Sequence, residues 1–219
     1  MNAGIGTEII YAFVIILCSL MIYFGTRELY ELTSHKGIKY FRQAFLFFAL
    51  AYFFRSFIKF IIKYFDLRNI FEFAPMLFGP ITLFLFAYLS SIAIFYLLYS
   101  VIYKRLEKKK YVLYLIHAIA LVFAFLILLS QNPLMHLYIN GILFILAGIT
   151  VYFAKINSKK KKGQNLYTIY ILLFIFWILN ILDILVPAFI EIFQLIIYLS
   201  SISIFLTILY KVLRNLGVK

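Results

Sequence analysis

The sequence predicts an all-α, polytopic membrane protein folded as a seven-transmembrane-helix bundle. Three observations carry that prediction. Hydrophobic residues make up 66% of the 219-residue chain and charged residues 13%, whereas soluble domains are about 45–50% apolar and about 25% charged. The mean hydropathy is +1.04. The apolar residues also gather into seven runs, roughly 9–26, 41–63, 75–103, 111–130, 134–154, 166–187 and 190–210. About 20 residues of helix cross the ~30 Å hydrocarbon layer of a bilayer. Residues 1–219 therefore read as a single membrane domain with no room for a soluble one.

The first run follows MNAGIGTE, which has no basic character, and no small-residue cleavage pattern follows it. Leu17 before Cys18 does not suit a lipoprotein site either, so the run reads as a retained helix. Cys18 is the single cysteine, which excludes an intrachain disulfide and leaves a small buried hydrophobe. The second run is the stretch the others must shelter. From Ala44 to Phe65 it reads AFLFFALAYFFRSFIKFIIKYF, interrupted only by Arg55, Lys59 and Lys63. A spacing of four puts these cations on one stripe of a helix. A central arginine costs about 2.5–3.5 kcal/mol on translocon scales, so the stripe is expected to face protein or water.

The third run carries Gly79-Pro80, which predicts a kink, and the pair Ser90-Ser91 near its middle. The fourth carries His117, and the fifth Tyr138 and Asn140. The sixth, ending at Pro187, carries Asn180 and Asp183, and the seventh Ser200-Ser201. Serine pairs of this kind let helices approach closely and bond back to the preceding turn.

Loop charge sets the orientation. Arg27, Lys36, Lys39 and Arg42 follow the first run, and Lys104, Arg105, Lys108, Lys109 and Lys110 the third. Lys155, Lys159, Lys160, Lys161 and Lys162 follow the fifth, and Lys211, Arg214 and Lys219 the last. Only Lys63 and Arg68 lie on the opposite side. The positive-inside rule then places the N-terminus outside and the C-terminus in the cytoplasm, as a multi-pass protein of the cell membrane. The net charge of +13 lies in these loops, which argues for anionic headgroups at the cytoplasmic face, at about 1 kcal/mol per basic residue, and against nucleic acid. A cytoplasmic protein partner for the same loops is the further expectation.

Phe86–Phe95 reads FAYLSSIAIF and Ile196–Phe205 reads IIYLSSISIF, and the first and fifth runs close on IYFG and VYFA. The pattern predicts a 3+1+3 parallel repeat, an arrangement found in transporters. In helix count and repeat the chain resembles the microbial rhodopsins and the SWEET/PQ-loop sugar carriers. The last run has no mid-membrane lysine to hold retinal, Lys211 lying at its inner end, and no Pro-Gln pair occurs, the nearest being Asn132-Pro133. Neither family's function is implied.

At about 1.5 Å per residue, Lys59 and Asp183 each lie about 6 Å below the outer face, Asn180 about 10 Å and Arg55 about 12 Å. Lys59 is thus expected level with Asp183, and Arg55 with the neutral Asn180, as a ladder of charge-assisted hydrogen bonds. Phe45 to Phe54, Leu143 to Gly148 and Leu172 to Leu179 carry no charge and no amide, which favours a dead-end pocket over a through-route. The candidate ligand-binding set is Arg55, Lys59, Asn180, Asp183, Asn140, Ser90, Ser91, Ser200 and Ser201. The pocket is expected among the second, fifth, sixth and seventh runs.

His35, His117 and His136 lack ligand spacing, so no metal or other cofactor is expected. No carboxylate pair, glycine-rich phosphate loop or nucleophile–base set is visible, so the chain does not read as an enzyme. The expectation is a sensory or regulatory membrane protein with an outward-facing cationic pocket, signalling through a separate partner. The alternatives are a small-solute transporter with parallel repeats and a scaffold subunit that binds no ligand.

Overall fold

The computed structural model describes residues 3–64, 74–106, 111–130, 132–160, 164–185 and 191–215. All the elements in them are helices: α1 (Ala3–Gly25), α2 (Arg27–Thr33), α3 (Lys36–Tyr64), α4 (Ala74–Leu106), α5 (Tyr111–Ser130), α6 (Pro133–Lys160), α7 (Gln164–Leu185) and α8 (Glu191–Asn215). Among the described residues six spans, in α1, α4, α5, α6, α7 and α8, are long and apolar enough to cross a membrane, the first continuing into α2. The structure is thus that of a multi-pass membrane protein. A stripe on α1 shows why: Ile10, Phe13, Leu17, Met21 and Phe24 stay exposed, an apolar surface that water does not tolerate and lipid does.

α3, whose side chains beyond Phe57 are described only in part, is not among those six spans. It is nevertheless deep in the molecule. Phe41, Ala44, Phe45, Phe48, Ala51 and Tyr52 are all buried, the three-and-four spacing of one helix face, and Arg55 continues that face.

The helices close a ring in the order α1, α3, α4, α6, α7, α8 and back to α1, with α5 outside against α4 and, less extensively, α6. Every neighbour pair in the ring has a counterpart: α1–α3 with α6–α7, α3–α4 with α7–α8, and α1–α8 with α6–α4. Mid-ring, Phe45, Phe48, Phe176 and Phe205 are at most 1% exposed and form an aromatic layer. The Phe176 and Phe205 centroids lie 4.5 Å apart, Phe45 to Phe205 6.3 Å and Phe48 to Phe176 6.4 Å. Lipid is as apolar as leucine, so such contacts act through close packing rather than escape from water, and aromatic pairs add about 0.5–1.5 kcal/mol each.

Two features differ from the sequence expectation. α2 falls where a loop was expected. It is held by an Arg27–Glu31 pair at 2.7 Å and closed by Ser34, whose φ of 49° is left-handed and whose N–H donates to the Tyr30 carbonyl. The other is length. α4, α6 and α8 run past their apolar stretches to Leu106, Lys160 and Asn215, because lysine and arginine are good helix formers and suit a C-terminal turn. Arg42, expected as a loop charge, is recruited into the fold: its Nε donates to the Tyr23 carbonyl at 3.0 Å and its guanidinium lies over the Tyr23 ring.

Candidate functional site

A cluster of paired charges and hydrogen-bonded side chains lies at the end of the ring opposite the lysine-rich termini of α4, α6 and α8. Arg55 Nη2 lies 3.1 Å from Asp183 Oδ2 and 3.3 Å from Glu8 Oε1. The side chains of Arg55, Asp183 and Glu8 are 21%, 10% and 17% exposed, so this triad is mostly shielded yet reachable from its end. Its guanidinium also sits 5.2 Å from the centroid of the Phe86 ring, a cation–π contact from α4.

One turn deeper, the Tyr52 hydroxyl donates to Asn180 Oδ1 at 2.6 Å, while Asn180 Nδ2 donates to the Phe176 carbonyl at 2.9 Å. Because Tyr52 spends its proton on Asn180, the 3.0 Å contact between Tyr11 and Tyr52 has Tyr11 donating. Tyr11 stacks on Tyr198 with centroids 4.6 Å apart and planes 13° from parallel. The cluster therefore joins α1, α3, α7 and α8 and rests on the aromatic layer.

The geometry comes from register. α3 and α7 run in the same direction, and Tyr52–Asn180 and Arg55–Asp183 are each 128 residues apart in sequence. Two i, i+3 pairs thus meet as two rungs. The depth argument paired Arg55 with Asn180; the structure moves it one rung, to Asp183. Arginine is long, and its guanidinium extends toward the open end where a carboxylate is better placed to receive it.

The expected pocket is also corrected in composition. Among the described side chains two carboxyl groups lie against the Arg55 guanidinium. Glu8 and Tyr11 bring in α1, which the sequence reading left out. The sixth ring member, α6, contributes less than expected: Asn140 donates to its own helix at the His136 carbonyl, 2.8 Å, and its carbonyl receives Trp177 Nε1 at 3.5 Å. Tyr138 is 67% exposed. Lys59 lies on α3, but its side chain is outside the described residues.

The serine pairs lie away from the triad. Ser90 donates to the Ala87 carbonyl at 3.2 Å, and Ser200 is half-buried. Ser91 and Ser201, equivalent positions in the two similar stretches, are both 0% exposed, and neither Oγ has a partner among the described residues. His117, which read as isolated, bridges Tyr88 through Nδ1 and Tyr96 through Nε2, each at 3.1 Å, and so fastens α5 to α4. Among the described residues no three His, Cys, Asp or Glu side chains gather as a metal set.

Sequence reasoning missed Glu8, Tyr11 and Tyr52. The available signals were position and phase: Glu8 is the acid at the N-terminal end of the first run, and Tyr52 is three residues before Arg55 on the same face.

No protein-family model and no solved structure matches the chain. It is 34% identical over 224 residues to an uncharacterized protein of Archaeoglobus fulgidus, in a match that covers 97% of this chain and 93% of that protein. End-to-end similarity at that level shows common descent, and the chain belongs to the same family as this Archaeoglobus fulgidus protein.

Proposed function

We propose that the chain is a seven-helix sensory or regulatory protein of the cell membrane, with α3 as its seventh crossing. The Arg55 end faces outside in this reading and the lysine-rich end faces the cytoplasm, as loop charge requires. One observation carries the proposal: a single guanidinium ties together Glu8 of α1 and Asp183 of α7 above a dry aromatic layer. A ligand that competes for either ion pair loosens three helices at once, and ionisable groups within a membrane mark functional sites by default. The basic cytoplasmic loops present the resulting shift to a partner protein and to anionic headgroups.

The second reading is transport by parallel three-helix repeats, favoured by the paired neighbour pattern of the ring and the matched Ser91 and Ser201. The aromatic layer below the triad opposes it. Reconstitution separates the two. In proteoliposomes the sensor shows ligand-dependent thermal stabilisation without solute flux, and the stabilisation is lost in Arg55→Gln. Saturable flux that Arg55→Gln abolishes establishes the transporter instead.

A further inference from the structure

At the lysine-rich end the ring is not filled. A cavity of about 610 Å³ lies there, walled by residues of α2, α3, α4, α6, α7 and α8. That volume falls inside the roughly 300–1,000 Å³ range of small-molecule sites. The cavity is built from the same elements that make the fold. α3 begins against α4 so closely that a Cβ on Gly37 would sit 2.8 Å from the Ser100 carbonyl oxygen.

The deep wall is apolar and buried, with Phe41, Ala154, Tyr170 and Val212. Its hydroxyls are already committed: Ser100 donates to the Leu97 carbonyl at 2.6 Å, so Tyr170, 2.7 Å from Ser100 Oγ, donates to it. What the wall offers a ligand is therefore hydrocarbon and ring surface. The mouth differs. Lys104 and Arg105 line it and are exposed, and the Arg105 guanidinium is propped over the Phe153 ring at 5.1 Å. None of the described lining residues is acidic, in contrast to the triad at the opposite end.

We propose that this cavity binds an organic phosphate or carboxylate with an apolar body. Lys104 and Arg105 hold the anionic group at the mouth, and the body lies against Phe41, Ala154 and Val212. Arginine and lysine over an apolar recess suit such a molecule, because the charge stays near water while the tail fills the space. A lipid from the adjoining leaflet and a soluble amphiphile share this chemistry. The site is separate from the Arg55 cluster and stands or falls independently of the function proposed for it.

The test uses the full chain in dodecyl maltoside, titrated with dodecyl phosphate and read by native mass spectrometry. Saturable uptake of one molecule per chain is expected, with dodecanol and inorganic phosphate bound about tenfold more weakly or not at all. Lys104→Gln combined with Arg105→Gln is expected to weaken uptake about tenfold. Ala154→Phe fills the apolar wall and abolishes uptake, while Arg214→Gln, which removes an exposed cation at the same end outside the described lining, leaves it unchanged. Thermal unfolding of each variant without ligand separates a lost site from a lost fold, and the exposed Lys104/Arg105 pair keeps the test decisive if Ala154→Phe does not fold. Displacement by dioleoyl phosphatidic acid traces the ligand to the bilayer; its failure to displace traces the ligand to a soluble pool. Uptake that never saturates, equal uptake of dodecanol, or wild-type uptake by the double-glutamine variant overturns the proposal.

Discussion

Arg55 holds carboxyl groups from two helices, so its loss takes the guanidinium from both in a shielded site. Arg55→Gln is expected to destabilise the protein by about 2–4 kcal/mol, since breaking a largely buried pair strands the remaining charge. Thermal unfolding in detergent reads it. Asp183→Asn should cost more than Glu8→Gln, because the Asp183 contact is shorter and its side chain less exposed. Equal effects would mean that Glu8 shares the guanidinium on level terms. Tyr52→Phe removes the donor to Asn180 and the acceptor for Tyr11, and about 1–2 kcal/mol is expected to go with them. Much of this was legible beforehand. Charge spacing on one helix face and distance from the helix end set Arg55 level with Asn180, one rung from Asp183. What depth alone misses is side-chain reach, which set the rung, and the identity of a third helix, which brought in Glu8. No spacing rule connects an acid at residue 8 to a cation at residue 55.

Helices follow from hydropathy wherever the chain crosses a membrane, and every long apolar run is a helix over its described residues. Their ends follow different physics. The lysines in the last turns of α6 read as loop by hydropathy, yet their intrinsic preference and the helix dipole continue the helix through Lys160. α2 escapes a hydropathy reading for the complementary reason: RELYELT is polar, short and stabilised by a local ion pair. The meeting of α3 with α4 offers the sharpest check at this scale. Gly37→Ala drives a methyl group toward the Ser100 carbonyl, and a loss of about 1–3 kcal/mol is expected. An unchanged unfolding temperature would show that α3 shifts freely along α4, against the close approach seen here.

For the whole bundle, the neighbour order is what sequence could not supply, because apolar residues facing lipid and apolar residues facing one another are chemically alike. Buried α3 and peripheral α5 illustrate it: the more polar helix lies inside and the more apolar one outside. Orientation is open to a direct check, since Cys18 is buried and is the single cysteine. In a Cys18→Ala background, Gly6→Cys should react with an impermeant maleimide from outside intact cells, and Arg214→Cys only after permeabilisation. The reverse pattern would invert the proposed topology.

The ring of phenylalanines has an electrical meaning as well. Hydrocarbon and aromatic side chains polarise weakly, so most of a voltage across the bilayer drops over that dry stratum, where a full crossing is worth about 2.3 kcal/mol per unit charge per 100 mV. The guanidinium and its two acids all stand on one side of it. Rearranging them carries almost no gating charge, so under the proposed sensory function an ion pair that opens there answers to solute concentration rather than to membrane potential. Phe176→Ala, which thins the insulator, is the change expected to make the same site voltage-sensitive.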